Sequence, residues 1–545
     1  MKGWKSSPGT RSGRILGVAS RRWIKDHVAL VSFVAAEAIA LPLMLVWGRH
    51  GWFTQDDWDF LSARTVGSAN DLFRAHFQHW TTLPILPYRV LWTIVGVRSY
   101  TPYQALIVVT HLIAAALVLT VMRRAGVRPW LATITGILFV YFGAGAENIL
   151  VAFQITFVGA LAFGLGQLLL ADHDGPLARR DWLGLLAGFA GLMCSGVAIT
   201  MTLVVGVAIL LRRGLRGWRV ALFHTAPLGA AYLLWAELAP KGQPTSNYRS
   251  DSVMQVVRFA WSGASGTFAR LGQVPGVGIA LALVLVGGCF VLIRSRDARE
   301  PRGRLAVPVA LLAGGLLFLL VTGVARAGQG GLRARESRYL YMVAAMALPA
   351  VALAADALIS RRRQLAVPIV VLLLLGLPGN VHRLADTGSV RQFENAKLTR
   401  SELLALGRLP MADQLRDSHL PVTVQNPRYA QEGLTYAWLV KGVESGRIPA
   451  PAERGKFQDP TDVLRFFLVP TAPRRAVTCG PGPTIRVLER GQTVTIERGN
   501  VFVTYAPLDA TSSLRRTVAP STLKALVGPL RLRIVPIDKG ALICQ

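Results

Sequence analysis

The sequence predicts a polytopic α-helical membrane protein ending in an α/β or β-rich domain outside the membrane. Three observations predict it. Hydrophobic side chains make up 52% of the 545 residues and charged ones 17%, whereas soluble domains carry about a quarter charged. Nearly uncharged runs of about twenty residues recur, the length a helix needs to cross a hydrocarbon layer of about 30 Å. Beyond residue 381 the pattern changes, with 23 Lys/Arg and 14 Asp/Glu in 164 residues. The chain therefore divides into a membrane domain, 1–381, and a polar domain, 382–545. An ordinary soluble enzyme, a disordered chain and a disulfide scaffold are excluded, the last by a count of four Cys.

Residues 1–26 hold seven Lys/Arg and precede the apolar run 27–47. A basic tail before a long span stays in the cytoplasm, and the run continues past Ala38-Ile39-Ala40, so it reads as an uncleaved helix. Further spans are predicted over 102–122, 129–143, 149–170, 220–237, 273–293, 305–324, 338–358 and 365–379. The stretch 183–211 is too long for one span and breaks near Ser195-Gly196, which makes two crossings and about 11 spans in all. The stretch 84–97, short and carrying Pro84 and Pro87, reads as a helix on the membrane surface.

Charge tests this arrangement. The loops 1–26, 123–128, 171–182, 212–219, 294–304 and 361–364 hold 24 Lys/Arg in 67 residues. The alternate loops 48–101, 144–148, 238–272 and 325–338 hold 13 in 108. The first set is then cytoplasmic. An odd span number puts 382–545 outside the plasma membrane. The net charge of +30 is spread over short clusters between spans, which are topology signals and contacts for membrane lipid rather than a nucleic-acid surface.

In the polar domain, Thr484–Leu488, Thr493–Glu497, Val501–Tyr505 and Leu530–Val535 alternate like strands, with turns at Gly491-Gln492 and Gly499-Asn500. Helical patterns are predicted over 396–408 and 461–468. Cys479 and Cys544 fall on the oxidising side, where a disulfide is stable.

Acids are scarce before residue 382, so their positions carry information. Four lie in the first outside loop, which opens Trp52-Phe53-Thr54-Gln55-Asp56-Asp57-Trp58-Asp59-Phe60 and continues through His76-Phe77-Gln78-His79-Trp80. An Asp pair is commonly a helix cap. Carboxylates among aromatic rings at a membrane boundary also suit sugar binding. Glu147 is the one charge in the second outside loop; it either favours a helix start or joins the first-loop acids. The loop before residue 338 carries Arg326, Arg333, Arg335 and Arg338, then Tyr339. Four Arg on the side where basic residues are depleted point to anionic lipid or to the phosphate of a specific ligand. Glu37 within the first span needs a partner, and His111 is the natural one; a transporter would use the pair as a proton relay. No GxxxxGK[ST], HExxH or CxxC occurs. Group transfer outside the membrane therefore needs a pre-activated, membrane-borne donor.

A cytoplasmic tail, one span, a long loop opening with an Asp pair, an acid in the second loop, a late Arg–Tyr at a span start and a terminal domain together resemble the GT-C superfamily of membrane glycosyltransferases. That superfamily includes protein mannosyltransferases, the lipid A aminoarabinose transferase and mycobacterial arabinosyl- and mannosyltransferases. The chain is most similar to an actinobacterial branch with Asp-Asp/Glu-Trp and His-x-x-His-Trp in the first loop. The resemblance covers about 1–380. It implies inverting transfer of a hexosyl or pentosyl group from a polyprenyl-phosphate sugar to a cell-envelope glycan, lipid or protein acceptor. It also implies that Asp56 or Asp57 is the catalytic acid position and that Glu147 is the second-loop acid, orienting the acceptor or helping to hold a divalent metal. Arg335, Arg338 and Tyr339 would face the donor phosphate. Trp58, His76, His79 and Trp80 are first-loop candidates without an assigned role. The Asp pair departs from branches with a single Asp, which leaves open the choice between Asp56 and Asp57. The competing readings are a transporter or lipid-linked-glycan flippase, and a non-catalytic membrane scaffold.

Overall fold

The computed structural model describes residues 12–53, 55–240, 248–294, 302–386, 393, 400, 403–404, 412–415, 434–450, 468–472, 479–481, 483–507, 513–538 and 540–544. The chain folds into two units. One comprises 1–51, 69–86 and 101–391; the other comprises 52–68, 87–100 and 392–545. Two pieces of the first loop thus belong with the C-terminal region.

The chain is a polytopic helical membrane protein. Among the described residues, nine stretches are long and apolar enough to cross a membrane. In chain order the helices begin with α1 (Ser12–Trp47), α2 (Gln55–Leu61), α3 (Ala69–Phe73), α4 (Thr82–Ile94), α5 (Thr101–Arg124) and α6 (Pro129–Val140). Then come α7 (Ala146–Leu150), α8 (Ile155–Ala171), α9 (Arg179–Leu192), α10 (Val197–Arg213) and α11 (Trp218–Leu238). The bundle closes with α12 (Val253–Gly272), α13 (Val277–Arg294), α14 (Arg302–Arg326), α15 (Ser337–Arg361) and α16 (Ala366–Ala385). The predicted break at Ser195-Gly196 falls between α9 and α10. One apolar stretch, Val197–Leu238, holds both α10 and α11. With its 14 residues α9 spans only about 21 Å at 1.5 Å per residue, which is why it falls short of the nine.

Small residues set the packing. α15 is buried along most of its length, and Ala344, Ala345, Ala347, Ala350, Ala352, Ala354 and Ala355 let neighbours approach it closely. By contrast α13 leaves Ile279, Leu283, Val286, Phe290 and Ile293 exposed, as a lipid-facing helix does. The surface-helix reading of 84–97 corresponds to α4. It buries Ile85, Tyr88 and Trp92 and exposes Leu86, Val90 and Ile94 at a four-residue spacing.

Described residues of several connecting loops meet at opposite ends of the bundle. At one end Arg212 pairs with Asp172 (2.6 Å) and Asp174 (2.7 Å), Arg304 donates to the Ala125 carbonyl (3.1 Å), and Arg128 meets Asp356 (3.3 Å). There too the buried Asp181 carboxylate joins His173 (2.9 Å) and His224 (3.1 Å). At the other end Asn380 meets Gln273 (3.0 Å), the Ser250 amide donates to the Val324 carbonyl (3.1 Å), and the Glu147 amide donates to Ser337 Oγ (3.1 Å).

Two expectations are corrected. The predicted loop 238–272 contains α12, whose first turn lies near Val324 and whose last turn lies near Asn380. Val256, Phe259, Ala260, Gly263, Thr267 and Leu271 line its buried face, so it lies across the bundle end as an amphipathic helix. Glu37 and His111 do not pair. The two His111 nitrogens meet Tyr341 Oη (2.9 Å) and the Val140 carbonyl (2.9 Å), so the imidazole ties α5 to α15 and α6. Glu37 Oε1 has no hydrogen-bond partner among the described residues.

In the second unit, α17 (Tyr436–Glu444) is followed by nine strands: β1 (Leu468–Thr471), β2 (Cys479–Pro481), β3 (Thr484–Leu488), β4 (Thr493–Arg498), β5 (Asn500–Pro507), β6 (Ser513–Val518), β7 (Ser521–Ala525), β8 (Leu530–Pro536) and β9 (Leu542–Cys544). They form antiparallel sheets ordered β1-β7-β4-β9-β2 and β3-β8-β5-β6. The four strands read from alternation are β3, β4, β5 and β8. In β8, Leu530, Leu532 and Ile534 are buried while Arg531 and Arg533 are exposed. Cys479 and Cys544 face each other in register on β2 and β9 and are disulfide-bonded. The predicted helix 461–468 lies outside the described residues except for Leu468, which begins β1, and 396–408 is described only at 400, 403 and 404.

Candidate functional site

The site candidates divide between the two units. In the C-terminal unit, Asp56 and Asp57 occupy the first turn of α2, where carboxylates complement the helix dipole. Asp57 is buried and accepts a hydrogen bond from Tyr88 Oη at 2.5 Å. Asp56 is half-buried. Arg64, fully enclosed, pairs with Asp59 at 2.7 Å. Trp58 sits edge-on to Trp52 (5.4 Å) and Trp438 (6.1 Å), and Trp438 also stacks on Trp92 (4.7 Å). The aromatic run around the Asp pair is therefore largely the core that fixes α2, and Trp58 belongs to that core.

The membrane unit brings together first-loop, second-loop and late-loop residues at one bundle end. His76 and His79 form an antiparallel bridge through mutual backbone hydrogen bonds (3.0 and 2.9 Å). Phe77 stands between them at φ 52°, a left-handed conformation that costs a bulky residue about 1–3 kcal/mol. The resulting turn is held from several sides. Tyr232 Oη donates to the Gln78 carbonyl (3.2 Å), His76 packs on Phe153 (5.0 Å between centroids) and His79 on Phe157 (6.0 Å). Trp80 donates to Thr82 Oγ1 (2.8 Å) and stacks on Trp235 (5.5 Å), a structural role.

Glu147, half-buried, lies in the first turn of α7, and its amide bonds Ser337, the first residue of α15 and the neighbour of Arg338. The second-loop acid and the late Arg are thus brought to one place. Arg338 pairs with Glu336 (2.6 Å) and lies over the Tyr339 ring (5.1 Å), and Glu336 also holds Arg333 (2.8 Å). Arg335 turns away to donate to Ser262 Oγ on α12 (3.2 Å). Tyr339 is buried against Phe259 and Phe318, a packing contact. The charges that act on His79 are those of His76, Arg326 and Arg338. Arg326 and Arg338 thus both act on His79, and Arg335 is not among the charges that do. Burial first, then these three neighbours, push the His79 pKa down to about 4.

One feature of the second loop lies beyond the reach of sequence patterns. Asn148, Gln154 and Thr156 are buried, yet both amide atoms of Asn148, Gln154 Oε1 and Thr156 Oγ1 have no hydrogen-bond partner among the described residues. An unsatisfied buried polar group costs about 1–3 kcal/mol, which sets this stretch beside Glu147 apart from the apolar packing around it.

The donor set for a divalent metal is poor. Among the described residues the one grouping of three metal-ligating side chains is Cys479, Glu497 and Cys544, and its two sulfurs are joined to each other. No such grouping forms around Glu147 or Asp56 among those residues.

No protein-family model matches the chain, and no curated protein does. Among solved structures, the chain is similar to ArnT from Cupriavidus metallidurans in the apo state, at 14% identity and a TM-score of 0.41, covering 79% of this chain and 90% of that one. It is similar to the same protein bound to undecaprenyl phosphate at 14% identity and 0.41, covering 77% and 89%. A likeness this loose assigns no activity, so the function rests on the residues.

Proposed function

We propose that this protein is a membrane glycosyltransferase that moves a sugar from a polyprenyl-phosphate donor to a hydroxyl of a cell-envelope acceptor on the outer side of the plasma membrane. The observation that carries the reading is one bundle end where Arg338 begins α15 beside the turn that carries Glu147, with the charges of Arg326 and Arg338 both reaching His79. A lipid-linked sugar phosphate matches that end: an anion for the guanidiniums and an apolar tail for a bundle already in lipid. The lower Lys/Arg density of the loops at this end favours the outer side.

In the proposed reaction the acceptor oxygen attacks the anomeric carbon, the bond from that carbon to the phosphate oxygen breaks, and the acceptor proton passes to a carboxylate. The resemblance to GT-C enzymes gives that carboxylate as Asp56 or Asp57; Tyr88 already engages Asp57, which favours Asp56 as the base and leaves Asp57 a positioning role. The departing polyprenyl phosphate is stabilised by Arg338 and Arg326. Glu147 orients the acceptor. A phosphate is a good leaving group, so no second carboxylate is needed as general acid, unlike in glycoside hydrolases. No step is routed through a metal.

The test is donor turnover in membranes containing the protein, read as release of polyprenyl phosphate from a panel of radiolabelled polyprenyl-phosphate sugars. Turnover of at least one donor, lost in Asp56→Asn, supports the reading. No turnover of any donor with envelope acceptors present, or full turnover in Asp56→Asn, contradicts it.

A further inference from the structure

The two first-loop histidines take no part in the reaction as proposed, yet His79 is fixed with unusual care. Its Nδ1 accepts the backbone N–H of Gly196, the residue before α10, at 3.3 Å. A side chain at Gly196 would begin with a Cβ 3.0 Å from His79 Nδ1 and 3.2 Å from Tyr232 Oη, so the glycine is what lets the imidazole seat there. Because Nδ1 accepts, the ring proton of the neutral imidazole resides on Nε2. Nε2 has no hydrogen-bond partner among the described residues, and unlike the atoms of Asn148 it is not sealed from solvent. The charges that act on the ring are those of His76, Arg326 and Arg338, and Phe157 packs edge-on against it.

We infer that His79 is a neutral hydrogen-bond donor, its Nε2–H aimed at an oxygen of the same anionic phosphate that Arg326 and Arg338 attract. This rests on the proposed phosphate site and deepens it. A third cation beside two guanidiniums would repel them when the site is empty. A neutral donor adds direction without adding charge, and the short His76–His79 turn holds it in place. Burial and the neighbouring charges keep the ring unprotonated at neutral pH, and the Gly196 amide selects the tautomer.

Two measurements on the full-length protein test this. In protein labelled with ¹⁵N-histidine, the His79 signals, identified by their loss in His79→Phe, should show an unprotonated Nδ1 and a protonated Nε2, unchanged from pH 5.5 to 8. Farnesyl phosphate, followed by titration calorimetry, should bind about tenfold or more weakly to His79→Phe. It should bind within about threefold of wild type to His79→Gln, whose amide N–H replaces Nε2–H. Gly196→Ala should weaken binding while Arg326 and Arg338 stay intact. A His79 that titrates in this range, or carries its proton on Nδ1, overturns the inference. So does equal binding by His79→Phe and wild type, or no binding of farnesyl phosphate by wild type. Binding that depends on His79 in a protein that turns over no sugar donor supports this inference and counts against glycosyl transfer.

Discussion

The two adjacent carboxylates Asp56 and Asp57 differ in what surrounds them, and the difference assigns their roles. Asp57 is enclosed and held by Tyr88, so Asp57→Asn or Tyr88→Phe should lower the yield of folded protein, because the core around α2 loses a hydrogen bond. Asp56→Asn should leave folding intact and reduce transfer by about 10²–10⁴; size-exclusion profile and donor turnover, measured side by side, separate the outcomes. Equal folding and equal turnover in both would remove the pair from the mechanism. His79 adds a pH effect on stability. Its folded pKa, about 4, lies below that of an unfolded histidine. The unfolded chain therefore takes up the proton first as pH falls, and the folded state loses stability between about pH 6.5 and 4. Melting temperature should fall with pH across that window in wild type and fall less in His79→Phe.

At the scale of elements, the start of α15 concentrates the late-loop chemistry. Arg338→Lys keeps charge but loses the planar fork that matches a phosphate, so transfer should slow and donor dependence weaken. Arg335→Lys, whose guanidinium contacts Ser262 on α12, should have little effect. The comparison is read as turnover against donor concentration, and equal small effects would mean general surface electrostatics. The long helices were legible because apolar runs fix their own length. α12 was not, because Arg258, Arg270 and several Ser and Gly dilute its hydropathy, although Val256, Phe259, Gly263 and Thr267 follow a helical period. The strands β3, β4, β5 and β8 alternate clearly, while β2 and β9 have three residues each and reveal themselves only through the Cys479–Cys544 pairing. The disulfide closes a separation of 65 residues, so its loss should destabilise the strand domain by about 4 kcal/mol on the chain-entropy estimate. A denaturant series with Cys479→Ser reads it.

For the molecule as a whole, the alternation of spans sends connections to two ends of the bundle, because each span must return the chain to the other side. Bringing Glu147 to Ser337 and His79 to Gly196 depends on contacts between residues 190 and 117 positions apart, which no local pattern encodes. The orphaned Asn148, Gln154 and Thr156 are visible only once burial is known. The central claim is that this end of the bundle holds a prenyl phosphate. Photo-crosslinking with a diazirine-bearing prenyl phosphate, followed by peptide mapping, tests it most directly. Label is expected in 146–157 and 326–341, competed by unlabelled prenyl phosphate and not by the prenyl alcohol, and lost in Arg338→Ala. Label spread over the lipid-facing α1 and α13, and competed equally by the alcohol, would contradict it.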